Sequence, residues 1–209
     1  MKKLFISMAC LTSMGFCSSS YAASNIEIVK NAQFPQYNST LSLGSAAEKS
    51  VLCRSGTVKW NDTQYQGKDA VEMTCDIALF DLIKESRGLS LVRSVFPREA
   101  WDQLKQVFNA KGTNRYVFSV TGAEKSVALE GHSHRIKWGH GITLEENFEV
   151  DSETFKSFYI DRDEFLKMGD FLCKNNSRIH CVSQPFTLLF RALVLEGRAV
   201  LQEDFNTRK

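Results

Sequence analysis

Three alternating segments follow one another in the middle of the chain, at 115–121, 126–138 and 142–150, separated by Gly122 and then by Gly139 and Gly141. In the first, Tyr116, Phe118 and Val120 occupy every second position, so they share one face of a strand while the residues between them face away. Strands in such close succession, broken only by glycine turns, are consistent with an antiparallel meander. Any other elements have to pack on that sheet.

The same period appears earlier. Residues 58–60 and 71–79 read as two further strands around a polar loop at Asn61-Asp62 and Gly67, with Val71, Met73, Cys75, Ile77 and Leu79 on one face. The thiol of Cys75 shares that parity and should point inward. Residues 26–29 alternate and read as a short strand. Thr40 or Ser42 caps a short helix over 43–50. Pro97 suits the first turn of a helix carrying Ala100, Leu104, Val107 and Phe108 at helical spacing, with Trp101 beside them and Gly112 past its end. Residues 155–160 read as a strand. Asp161 followed by Glu164 starts a helix with Phe165, Met168 and Leu172 inward, and 186–195 and 199–201 read as the last strands.

The fold expected is α+β, an antiparallel sheet packed against two or three helices, with Trp60, Met73, Phe118, Trp138, Phe165 and Phe190 buried. No repeat or linker divides the chain. An N-terminal α+β region, 23–88, and a C-terminal α+β region, 89–209, form either one domain or two, with any boundary near 82–94.

The N-terminus carries Lys2 and Lys3, a short apolar run over 4–16 and the small-residue context Ser20-Tyr21-Ala22, the pattern of a cleavable export signal over 1–22. That run falls short of the roughly 20 residues that cross a bilayer, and the best later run, 186–195, contains Arg191. Lipid attachment fits poorly: Cys17 follows bulky Phe16, and Cys10 would leave too short an apolar run. A periplasmic or secreted protein with no transmembrane segment is expected. Taking the two signal lysines from the 26 basic residues leaves 24, equal to the 24 acidic ones, so the pI of 8.2 is no argument for a nucleic-acid partner.

Of six cysteines, Cys53, Cys75, Cys173 and Cys181 lie beyond the signal. An even number in an oxidising compartment favours disulfides. Four cysteines allow three pairings. The short polar stretch 174–177 favours Cys173 with Cys181, leaving Cys53 for Cys75. No CxxC supports redox catalysis.

Residues 26–80 carry Val29-Lys30-Asn31, a turn over 37–40, Leu43-Gly44-Ser45-Ala46 opening a helix, Trp60, and Gly67 leading into Val71-Glu72-Met73. This stretch resembles a small module of exported bacterial proteins and lipoproteins, mostly of unassigned function. It departs from the module in having Ala32 where Gly is expected and no lipid-attachment cysteine in front. The resemblance implies a fold, a strand, a helix and then antiparallel strands, far more than an activity.

The densest chemical constellation is Gly131-His132-Ser133-His134, with His140 beyond it. On a strand His132 and His134 share a face about 7 Å apart, a spacing that two imidazoles can close onto zinc or copper. No HExxH or cysteine cluster accompanies them, and they read more simply as histidines on the solvated part of a strand whose Ile136 and Trp138 pack. GxSxG, P-loop and dinucleotide-binding patterns are absent. Ser133 beside the histidines, and His180 beside Cys181, are sequence neighbours that face opposite ways on a strand. Asp161, Asp163 and Glu164 lack the spacing of a calcium loop and read as a helix N-terminus. The function expected is a non-catalytic binding, assembly or inhibitory protein of the bacterial envelope or secretome. It needs no cofactor, and its partner is another protein or an envelope component. The alternative is a small exported metal-dependent hydrolase using His132 and His134 with Glu145 or Glu130.

Overall fold

The computed structural model describes residues 23–86, 89–139, 141–150, 152–175, 187–196, 198–200 and 202. Its framework is a five-stranded sheet of β3 (Lys59–Tyr65), β4 (Lys68–Asp76), β5 (Lys111–Thr121), β6 (Ser126–Lys137) and β7 (Thr143–Phe148), antiparallel throughout and in sequence order. The α+β class with an antiparallel sheet is therefore correct. Before the sheet come α1 (Asn25–Asn31), the two-stranded ribbon of β1 (Gln33–Phe34) and β2 (Asn38–Ser42), and α2 (Leu43–Lys49). Between β4 and β5 lie α3 (Leu79–Glu85), α4 (Leu89–Val95) and α5 (Arg98–Phe108). After β7 come α6 (Ser152–Ser157), α7 (Arg162–Asn175) and a helix at 187–196, here α8, with 198–200 helical beyond it.

Local chemistry explains the hairpins. Gln66 and Gly67 both take positive φ (52° and 75°), the geometry of a two-residue turn whose twist matches its strands, so Tyr65 pairs with Lys68. Asn61 and Asp62 consequently lie within β3, where a loop was expected. Gly122 and Lys125, also at positive φ, turn β5 into β6. Within the five-stranded sheet the register slips between Val117 and Phe118, a bulge that leaves Tyr116 opposite His132 and Phe118 opposite Leu129. Strands from both sides of residue 88 join in this sheet, with β4 and β5 paired from Ala70↔Ser119 to Asp76↔Thr113.

One sheet face carries the core. At one end Val71, Met73, Cys75, Tyr116 and Phe118 pack with Val29 of α1, Leu43 and Ala47 of α2, Phe155 of α6 and Phe158 just after it. At the other, Ile77, Ile136, Trp138 and Leu144 pack with residues of α3, α4, α5 and α8, among them Phe80, Ile83, Val92, Trp101, Leu188 and Ala192. The alternating positions are charged and more exposed, with Arg115 bonded to Glu72 and Arg135 to Glu145. Cys53 and Cys75 form a disulfide that fastens the segment after α2 to β4; next to it Cys53 bridges Ile77, and the Arg54 amide donates to Asp76 O at 2.8 Å. The expected Cys173–Cys181 bridge lies outside the described residues, since neither Cys181 nor the side chain of Cys173 is described.

Several expected strands are helices. Residues 26–29 belong to α1, whose Ser24 hydroxyl accepts from the Glu27 amide at 3.2 Å and whose Ile26 and Val29, three apart, both face the core. Residues 155–157 end α6 and 158–160 turn, bringing Phe155 and Phe158 onto the sheet. Residues 187–195 form α8, burying Leu188, Leu189 and Ala192 and leaving Phe190 62% exposed, so Phe190 is not a core residue; 199–200 are helical as well. Leu79 opens α3 instead of closing β4. On α7, Phe165 is half-buried but Met168 points outward. Trp60 is half-buried, whereas Met73, Phe118 and Trp138 are buried as expected.

Candidate functional site

The two core clusters do not close completely over the sheet. Between them lies a cleft of about 750 Å³, walled by β5, β6, β7 and Ile77 on one side and by α3, α7 and α8 on the other. Its lining is mostly apolar: Leu52, Leu79, Ile136, Phe165, Leu188 and Leu195 are among the residues that face it. The polar groups at the wall are Asn114, His132, His134, Arg191 and Arg198.

The strand register sets the histidine geometry. His132 stands opposite Tyr116 on β5 and Phe148 on β7, and His134 opposite Asn114 and Glu146. Cross-strand pairing therefore stacks His132 on Tyr116 (ring centroids 4.4 Å, planes 8° apart) and on Phe148 (4.7 Å, 28°). The Phe148 ring also packs on His134 at 4.6 Å. His134 Nε2 lies 3.4 Å from Glu146 Oε2, and the same oxygen is 3.3 Å from an Arg198 guanidinium nitrogen. Burial in the cleft wall lowers the His134 pKa below its ordinary value; the Glu146 carboxylate works against that shift and Arg198 adds to it. The imidazole is thereby held toward its neutral form. The Tyr116 phenol, wholly buried, is pushed well above its ordinary value by desolvation. Asn114 donates from Nδ2 to Leu52 O at 3.1 Å, which fixes its amide against the segment that the disulfide anchors.

His132 and His134 do share a face, as their spacing requires, but they are not on a solvated part of the sheet: His134 is 9% exposed and both line the cleft. Among the described residues no group of three or more His, Cys, Asp or Glu side chains is placed to hold a metal ion. The two carboxylates expected to join the histidines do not; the acid beside His134 is Glu146, which Arg198 shares. Glu145 binds Arg135 at 2.9 Å on the face turned away from the histidines, and Glu130 accepts the Ser119 hydroxyl at 2.6 Å. His140 and His180 lie outside the described residues. Asp161 caps α7, its Oδ1 accepting from the amides of Asp163 (2.8 Å) and Glu164 (3.0 Å), so the acidic cluster has the expected role.

Sequence reasoning missed the cleft, because it depends on α8 crossing the sheet. The signal was present in the sequence spacing of Leu188, Arg191, Leu195 and Arg198, three, four and three apart as on one face of a helix, and all four line the cleft. A second concavity, of about 390 Å³, gathers Arg54, Lys111, Arg135 and Lys137 at a corner of the polar face, but Arg54 is already bonded to Asp81 and Arg135 to Glu145. Compared with known protein families, curated proteins and solved structures, the chain has no match.

Proposed function

We propose that the protein is an exported, non-catalytic binding protein of the bacterial envelope or secretome, and that the cleft between sheet and α8 receives an apolar part of its ligand. The observation that carries this reading is the placement of His132 and His134: their rings are packed into an aromatic wall of an apolar cleft, with no cluster of acidic groups beside them among the described residues. A cleft of this volume, dominated by apolar side chains with a few convergent polar groups, has the character of a small-molecule pocket. Export is supported by the dilysine and apolar N-terminus and by the buried Cys53–Cys75 disulfide, which belongs in an oxidising compartment. No described helix is long and apolar enough to cross a membrane.

The test is fluorescence enhancement of the neutral apolar dye phenylnaphthylamine on the purified protein. Saturable binding is expected, weakened at least about tenfold by Val194→Trp, which fills the cleft from a position 40% exposed and leaves the unfolding midpoint near that of the wild type. Absence of saturable binding overturns the reading. So does turnover of an ester, peptide or peptidoglycan substrate that is lost in the His132→Ala, His134→Ala double variant, which would assign the histidines to hydrolysis.

A further inference from the structure

We infer that the ligand of the cleft is a single-chain fatty carboxylate, its acyl chain lying against the apolar wall and its carboxylate meeting Arg191. The inference rests on the binding reading above and adds the chemistry of the ligand.

Charge is the first argument. Two arginines, Arg191 of α8 and Arg198 beyond it, line the cleft, and no described acidic residue does. Glu146, just outside the lining, is already shared by Arg198 at 3.3 Å and His134 at 3.4 Å. Among the described residues no carboxylate is paired with Arg191. The site thus carries one surplus guanidinium, and desolvation keeps His134 from adding a second full charge near neutral pH. One surplus positive charge matches one carboxylate, and the planar guanidinium fork meets that group through two parallel hydrogen bonds.

Backbone chemistry is the second argument, and it separates an acyl chain from an apolar peptide. A peptide entering the cleft would bring an N–H and a C=O with every residue, and each of these costs free energy when buried without a partner. The wall offers few partners: the Asn114 amide is committed to Leu52 O, and the remainder of the inner surface is mainly side chains such as Leu79, Ile136 and Leu188. An acyl chain brings no such groups. The spacing along α8 supports the same picture, because Leu188 and Leu195 flank Arg191 three residues before and four after it, leaving apolar surface on both sides of the cation.

The experiment is displacement of phenylnaphthylamine from the purified protein by dodecanoate, by methyl dodecanoate and by lauroyl lysophosphatidylglycerol, in wild type, Arg191→Gln and Arg191→Lys. Dodecanoate is expected to displace the dye at a concentration at least about tenfold lower than its methyl ester, a difference of about 1.4 kcal/mol. Arg191→Gln is expected to bring acid and ester within about twofold, and Arg191→Lys to keep most of the gap, each read as the acid-to-ester ratio against that variant's own dye affinity. Equal displacement by acid and ester, or a gap that survives Arg191→Gln, overturns the inference while dye binding sustains the binding reading. Tighter competition by the lysophospholipid, or by an acidic apolar peptide added as a further competitor, overturns it in favour of that ligand. Failure of the dye itself to bind overturns the binding reading first, and with it this one.

Discussion

Replacing both Cys53 and Cys75 with Ala should destabilise the protein by about 3 kcal/mol. The bridge joins residues 22 apart, and the loop-entropy relation for a loop of that size gives roughly 3.4 kcal/mol at 25 °C. Both sulfurs are buried against β4, so the tether also holds the segment carrying Val51 and Leu52 at the rim of the cleft. In a chain of this length, 3 kcal/mol corresponds to a fall of roughly 6–12 °C in Tm. The assay is urea unfolding followed by tryptophan fluorescence, in a Cys173→Ser, Cys181→Ser background so that no other pair contributes. Three samples decide it: the oxidised protein, the same protein reduced, and the Cys53→Ala, Cys75→Ala variant. If the tether stabilises through the unfolded chain, reduction and double substitution cost nearly the same, because reduction removes the cross-link but leaves the sulfur atoms in place. A reduced protein within about 1 kcal/mol of the oxidised one would refute the entropic reasoning, and a much larger loss in the Ala variant alone would assign the effect to packing.

Two further outcomes follow from the geometry around the cleft. A Cβ added at Gly112 would stand 2.6 Å from Ile77 Cδ1 and 3.1 Å from Ile136 Cγ1, both core side chains, so Gly112→Ala should lower stability by about 1–3 kcal/mol in urea unfolding, and Ile77→Val, which removes the clashing methyl, should recover part of that loss in the double variant. The imidazole resonances of His134 should titrate below the ordinary histidine value, lower still in Glu146→Gln and higher in Arg198→Gln, since these are the charged groups that shift it. Because the folded-state pKa is the depressed one, acidification protonates the unfolded chain first. His134 therefore contributes stability that is fully present above its unfolded pKa and is lost as pH falls toward the folded value, with no further loss below it.

The sheet was legible in the sequence because half-buried antiparallel strands write their burial directly as alternation. Val71, Met73 and Cys75, and Tyr116 and Phe118, lie on the inner face where parity puts them, and the inward aim of Cys75 is what makes its bridge to Cys53 reachable. Short segments were less legible. Over four residues, 26–29 satisfy both a two-residue and a three-to-four-residue period, and the Ser24 cap that decides for the helix lies just before them. Residues 187–195 are nearly continuous in apolar character, a pattern shared by buried strands and buried helices, and tertiary packing of Leu188, Leu189 and Ala192 on α3 and β6 chose the helix.

That one choice also decides what the histidines are. As a strand, 186–195 would have placed Arg191 on one face and its neighbours Phe190 and Ala192 on the other, with no relation between Arg191 and Arg198. As a helix, it sets Leu188, Arg191 and Leu195 along one stripe facing the cleft, while Arg198 beyond it meets Glu146 and through Glu146 reaches His134. The pair that looked like half of a metal site on an open strand becomes part of a closed wall, in which Phe148 packs against both rings and a carboxylate is held by an arginine from across the cleft. A metal bound by both imidazoles would have to draw His132 out of its stack on Tyr116 and His134 away from Glu146, giving up ring contacts that the register already sets, and with no third ligand among the described residues to compensate. The apolar lining, by contrast, stands open with every one of those contacts in place, and that is the ground for the binding proposal.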